Sequence, residues 1–136
     1  MTKEYIEITN DLKFPEGPIY MPDGTIILVE IAKGTLTKVN VDGSKDIIAD
    51  LGGGPNGAAI GPDGCVYVCN NGGFEWHEID GLLIPGKQGN DYSGGRIEKV
   101  DLKTGSVDVI YTECDGNRLK GPNDLVFDKD GGFWFT

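Results

Sequence analysis

Apolar and polar residues follow a short-range pattern along this chain. Runs of four or five β-branched, aromatic or aliphatic residues alternate with turns rich in Gly, Asp, Asn and Pro. Tyr5 to Thr9 alternates as Tyr-Ile-Glu-Ile-Thr and reads as a strand. Four strands then follow, near 17–21 (a), 25–31 (b), 35–41 (c) and 46–50 (d), with Val41-Asp42-Gly43-Ser44 as the c–d turn. A second set repeats a and b as Ala58-Ala59-Ile60 and Val66-Tyr67-Val68. Its c and d are Gly95 to Asp101 and Val107 to Thr112. A third a–b pair is Leu125-Val126-Phe127 and Phe133-Trp134-Phe135. No segment carries sustained helical periodicity, so the chain reads as all-β.

The repeat is stricter than the strands alone suggest. Glu16, Asn56 and Asn123 each follow a proline, and an Asp-Gly pair begins seven residues after each of them (Asp23, Asp63, Asp130). Asp-Gly between two apolar runs predicts a hairpin through a tight primed turn. The first two units are 40 residues apart, and the second is lengthened by about 27, mostly between its strands b and c at 71–94. Four strands in about 40 residues is the spacing of a β-propeller blade, whose sheet covers its apolar faces only by stacking on its neighbours. Blade 1 is expected at about 16–51, blade 2 at about 56–112 with its insertion, and the first half of blade 3 at 123–136. Residues 4–10 are expected to be an outer strand closing the last blade. About two and a half blades cannot close a ring, so the rest is expected from a continuation, a second chain or a second copy.

In a propeller the strands a line the axis, and Glu16, Asn56 and Asn123 would converge there. A carboxylate with side-chain amide oxygens is a hard donor set suited to Ca²⁺ or Mg²⁺. Asp124 would orient or neutralise that site from behind. Pro-Asn and Pro-Glu are also ordinary loop dipeptides, and only their recurrence in register gives them this reading. The insertion must overhang the same face. It carries Phe74, Glu75, Trp76, His77 and Tyr92, a lid or pocket wall for a small ligand, while Arg118 in the loop before the third unit would meet an anionic group.

Charge and cysteine content narrow the picture. A net charge of −10 over 136 residues disfavours nucleic acid and anionic membrane surfaces as partners. Cys65 and Cys69 lie four apart on one strand, roughly 13 Å at strand rise, whereas a disulfide spans at most about 7 Å. With Cys114 in a loop, three free thiols and no apolar leader make the cytoplasm the expected compartment. There is no nucleophile elbow, zinc spacing or dinucleotide-binding glycine loop.

Glu16-Gly17-Pro18-Ile19-Tyr20, Pro55-Asn56-Gly57 and Gly121-Pro122-Asn123-Asp124-Leu125-Val126-Phe127-Asp128 with Phe133-Trp134-Phe135-Thr136 resemble the gluconolactonase family. That family includes regucalcin (senescence marker protein) and the luciferin-regenerating enzyme, and it is similar in fold to diisopropylfluorophosphatase and the paraoxonases. The resemblance implies a six-bladed propeller holding one divalent cation, Ca²⁺ first and Zn²⁺ or Mg²⁺ as alternatives. It makes Glu16 and Asn123 metal ligands, with Asn123 and Asn56 near the substrate. It also implies further ligands and the general base in later blades, so no catalytic residue is assigned within these 136. The implied function is hydrolysis of a small cyclic ester such as a sugar lactone. The alternatives are a phosphotriesterase on the same metal, a non-catalytic calcium-binding regulatory propeller, and a scaffold whose loop face binds protein.

Overall fold

The computed structural model describes residues 5–136, in which every regular element is a strand. The first sheet comprises β1 (Pro15–Tyr20), β2 (Ile26–Glu30), β3 (Thr35–Val39) and β4 (Lys45–Asp50), paired antiparallel in that order. The second comprises β5 (Pro55–Ile60), β6 (Val66–Asn70), β9 (Arg96–Val100) and β10 (Val107–Tyr111), again a meander. A half sheet, β13 (Leu125–Phe127) with β14 (Phe133–Phe135), follows. The chain is two and a half blades of a β-propeller, with β5 between β1 and β13 where the innermost strands meet.

Alternation along each strand builds the interior. Val66 and Val68 of β6 turn toward blade 1, meeting Ile27, Val29, Leu36 and Ala49 in one core. Tyr67 and Cys69 of the same strand turn the other way, toward Leu125, Phe127 and Phe133. One strand with period-two side chains thus feeds two inter-blade cores. The outer flanks remain apolar. Val126 and Trp134 of the half blade are 62% and 73% exposed, and Ile26, Leu28 and Val39 line a groove on the far side of blade 1.

Three expectations need correction. Residues 5–10 form no strand; residue 4 lies outside the described residues. They lie against the outer flank of blade 1, where Ile6, Ile8 and Leu12 join the groove. Thr9 Oγ1 donates to Gly43 O (2.9 Å) and Lys45 Nζ to Asn10 O (2.6 Å). An isolated strand gains no ladder without a neighbour, so the alternation alone does not make one.

The turns differ as well. At Asp23-Gly24 the hairpin closes by Gly24 N to Met21 O and Met21 N to Thr25 O, and only the glycine has positive φ (86°). The same bonding recurs at Gly61–Cys65, Asp128–Gly132 and Asn40–Ser44. These are three-residue loops: Pro22 or Pro62 sets the first turn residue, and glycine supplies the left-handed one. In the first two the aspartate also caps the outgoing strand, Asp23 Oδ1 accepting from Thr25 N and Asp63 Oδ1 from Cys65 N.

The two-residue primed turn occurs elsewhere, at Asp80-Gly81 (φ 53° and 77°) and Asp115-Gly116 (φ 50° and 75°). The first joins β7 (Phe74–Ile79) to β8 (Leu82–Gln88) and the second β11 (Glu113–Cys114) to β12 (Asn117–Arg118). Most of the insertion expected as a loop is therefore a hairpin standing out of blade 2.

Candidate functional site

Glu16, Asn56 and Asn123 line one cavity of about 390 Å³, together with Gly17, Gly57 and Asp124. Three innermost strands deliver them, and backbone irregularity aims them. The β1–β2 ladder slips immediately after Glu16, and the β5–β6 ladder slips at Asn56. In the third unit Asn123 N donates to Thr136 O and Thr136 N to Asp124 O, so two residues again face one. A bulge at the same place in each repeat turns a side chain out of the strand's alternation, a device common beside functional sites.

The strands approach closely because two glycines permit it. A Cβ on Gly17 would lie 2.7 Å from Ala58 N, and one on Gly57 would lie 2.6 Å from both Asn123 O and Asp124 Cα. The third unit has Asp124 in the glycine position. Its Oδ1 accepts from Leu125 N (2.8 Å), so it closes the backbone of its own bulge rather than bonding the Asn123 side chain.

The donors in the cavity are uncommitted. Glu16 Oε2 accepts only from the adjacent Gly17 N, at 3.3 Å. Among the described residues the side-chain amides of Asn56 and Asn123 make no hydrogen bond, whereas Asn70 is fully bonded. No cluster of three or more His, Cys, Asp or Glu exists among the described residues. The set is one carboxylate, two amide oxygens and a neighbouring carboxylate. Oxygen donors without sulfur or imidazole fit a hard divalent cation.

The remaining expected residues lie further out. Trp76 on β7 packs on Phe14 with ring centroids 5.1 Å apart, and on Phe74 at 6.3 Å. Phe14 sits two residues before Glu16 with φ 59°, so the hairpin leans on the segment that carries Glu16. His77 faces Gly86 of the partner strand. Arg118 lines a separate polar recess with Ser93, Arg96 and Glu113. Neither His77, Arg118 nor Trp76 lines the central cavity. Burial holds Cys65 and Cys69 in the thiol form. Burial, with the Asp124 carboxylate nearby, pushes Cys69 up to about 12, and none of the three is in a disulfide.

Two buried polar clusters behind the cavity escaped the sequence reading. In blade 1, Glu30 is 1% exposed. It accepts from Lys13 N (2.8 Å), Thr37 Oγ1 (2.7 Å) and Lys33 Nζ (3.2 Å). Burial opposes its ionisation, but those donors outweigh it and hold its carboxyl below the usual range. In blade 2, Asn70 and Arg96 both bond Glu98 (2.9 and 2.6 Å), and Arg96 also reaches Leu51 O (2.8 Å). Polar residues in the middle of apolar strands were the available signal.

The sequence model of the SMP-30/Gluconolactonase/LRE-like region matches residues 14–136. The chain belongs to this family. It is similar to a gluconolactonase of Zymomonas mobilis, with 26% identity over 95% of the chain and 34% of that protein. It is also similar to a lactonase, drp35, of Staphylococcus saprophyticus, with 30% identity over 97% of the chain and 36% of that protein. Among solved structures, a gluconolactonase from Xanthomonas campestris superposes with a TM-score of 0.70 at 22% identity, covering 95% of this chain and 36% of that one. An inactive virginiamycin B lyase from Staphylococcus aureus does so at 0.61 and 17%, covering 93% and 36%. These two speak for the fold. The chain spans about a third of the length of the relatives it matches.

Proposed function

We propose that this chain supplies the metal-bearing inner strands of a hydrolase for small cyclic esters such as sugar lactones. The observation that carries the reading is the meeting of Glu16, Asn56 and Asn123 in one cavity from three successive repeats, in a member of a family with named lactonases. Glu16 and Asn123 would hold one divalent cation, Ca²⁺ first. A bound cation would polarise the ester carbonyl and stabilise the developing oxyanion.

The chain's own residues prepare that site. Asn56, half-buried and free of internal bonds, orients substrate oxygens. Asp124 secures the bulge that presents Asn123 and adds negative potential. Trp76, outside the cavity but braced on Phe14, supports the segment that carries Glu16 and through it the size of ester admitted. The apolar flanks at Val126 and Trp134, and at Ile26 and Leu28, are the faces on which further blades would pack, from this polypeptide or another chain.

The test is Glu16→Gln assayed for Ca²⁺-dependent hydrolysis of glucono-δ-lactone by the protein with its ring complete. Activity should fall at least about a hundredfold while the melting temperature without metal stays within 2–3 °C, the range expected of a surface change. Unchanged turnover removes Glu16 from the metal. Hydrolysis of a phosphotriester but no lactone replaces the substrate class.

A further inference from the structure

The ladder registers make Glu30 and Asn70 equivalent, since Pro15 pairs with Glu30 and Pro55 with Asn70. The next residues, Ile31 and Asn71, are equivalent too: Ile31 N donates to Phe14 O and Asn71 N to Gly54 O. Blade 1 fills this place with hydrocarbon, Ile31 being 3% exposed. Blade 2 fills it with an amide 6% exposed, whose Nδ2 has no hydrogen-bond partner. The amide cannot flip to cure this, because Oδ1 accepts from Gly73 N at 2.9 Å. A buried donor without an acceptor costs stability that an apolar residue of similar shape would not.

The location suggests why the cost is borne. Gly54-Pro55-Asn56 and Gly121-Pro122-Asn123 are the two matching loops that end in cavity asparagines. Asn71 touches both. A Cβ on Gly54 would collide with Asn71 Oδ1, and one on Gly121 would lie 3.9 Å from Asn71 Cβ. Through Gly73 the same side chain also fixes the root of the β7 hairpin.

We infer that Asn71 is a positioning residue of the central cavity: wedged between the two Gly-Pro-Asn loops, it sets the spacing at which Asn56 and Asn123 face a common ion. This rests on the metal-site reading for its consequence, though not for the placement itself. Asn71 acts through its neighbours and is not assigned to substrate.

Two measurements on Asn71→Leu test it, with Asn71→Asp, which keeps the oxygen for Gly73 N and removes the donor, as the variant to use if the first does not fold. In metal-free ¹⁵N-labelled protein, the side-chain amide resonances of Asn56 and Asn123 should both move while that of Asn40, in the distant c–d turn of blade 1, stays. The melting temperature should change little, since losing the acceptor of Gly73 N offsets removal of the unpaired Nδ2. Ca²⁺ titrated alone should then bind roughly ten- to a hundredfold more weakly, the usual effect of losing a residue that orients ligands. Unmoved Asn56 and Asn123 resonances, or a fall in melting temperature with unchanged Ca²⁺ affinity, overturns the inference. If the unsubstituted protein binds no Ca²⁺, or Glu16→Gln binds it equally well, the metal reading fails and the resonances alone decide the role of Asn71.

Discussion

Blades 1 and 2 share a scaffold and differ in what they bury behind the cavity. In blade 1 the cluster is a carboxylate bonded by an amide, a hydroxyl and the partly exposed ammonium of Lys33. In blade 2 the equivalent places hold Asn70, Arg96 and Glu98, a full ion pair with Arg96 and Glu98 side chains 13% and 3% exposed. The first cluster ties the Lys13–Phe14 segment to its own sheet. The second reaches across to Leu51 and Gly52 and fastens the link between blades. The same three strand positions can therefore serve either a loop or an inter-blade joint, and the joint is the more demanding. It requires two charges to be buried together and satisfied together.

Removing one member of the blade 2 pair should have the largest effect. Arg96→Leu strands Glu98 and leaves Leu51 O without its donor. We expect a loss of about 3–5 kcal/mol in urea denaturation, and a loss under 1 kcal/mol would show that the joint does not depend on the pair.

Gly57→Ala tests the approach of blade 3 on blade 2. Its new methyl must displace Asn123 and Asp124, so it should cost about 1–3 kcal/mol by overpacking. Gly64→Ala, with φ 79° and nothing within 4 Å of the new methyl, should cost stability through φ alone and leave the central site unaffected. Equal effects on ligand binding from the two would contradict the close approach.

Glu30→Gln probes blade 1. The carboxyl is held below its usual range when folded, so ionisation favours the folded state. That contribution is complete above the ordinary glutamate range and disappears as pH falls through the depressed folded value. The substituted protein should be less stable at neutral pH, by about 1–3 kcal/mol, and should lose less stability than the parent between neutral and strongly acid pH. Parallel stability–pH curves would refute the assignment. The smallest effect should come from Trp76→Ala, whose contact with Phe14 is worth about 0.5–1.5 kcal/mol beyond its buried area. If the proposed function holds, it should change ester preference more than how stably the protein folds.

The Asp-Gly pairs show where local reading succeeds and fails. All six predict a reversal of the chain, and each makes one: Asp23, Asp42, Asp63, Asp80, Asp115 and Asp130 all precede a positive-φ glycine. The loop length was legible only in part, from the preceding residues. A proline before Asp-Gly, as in Pro22 and Pro62, pre-sets one more turn residue, but Val41 and Lys129 hold that place in loops of the same length. Ile79 and Leu82 directly flanking Asp80-Gly81 leave room only for the two-residue turn. By contrast, nothing local announced the fate of Tyr5–Thr9, whose alternation needs a partner strand to become structure.

The sequence by itself determined the unit: four strands, their turns, and one polar residue after a proline at the head of each, because side-chain alternation and turn stereochemistry act over a few residues. Only the tertiary structure decided which of those polar residues meet. Glu16, Asn56 and Asn123 converge through ladder slips and the close approaches at Gly17 and Gly57. Glu98 and Asn71 acquire their meaning from groups 28 and 17 residues away. Burial and spacing between blades are properties of the stacked sheets, and no single stretch of chain encodes them.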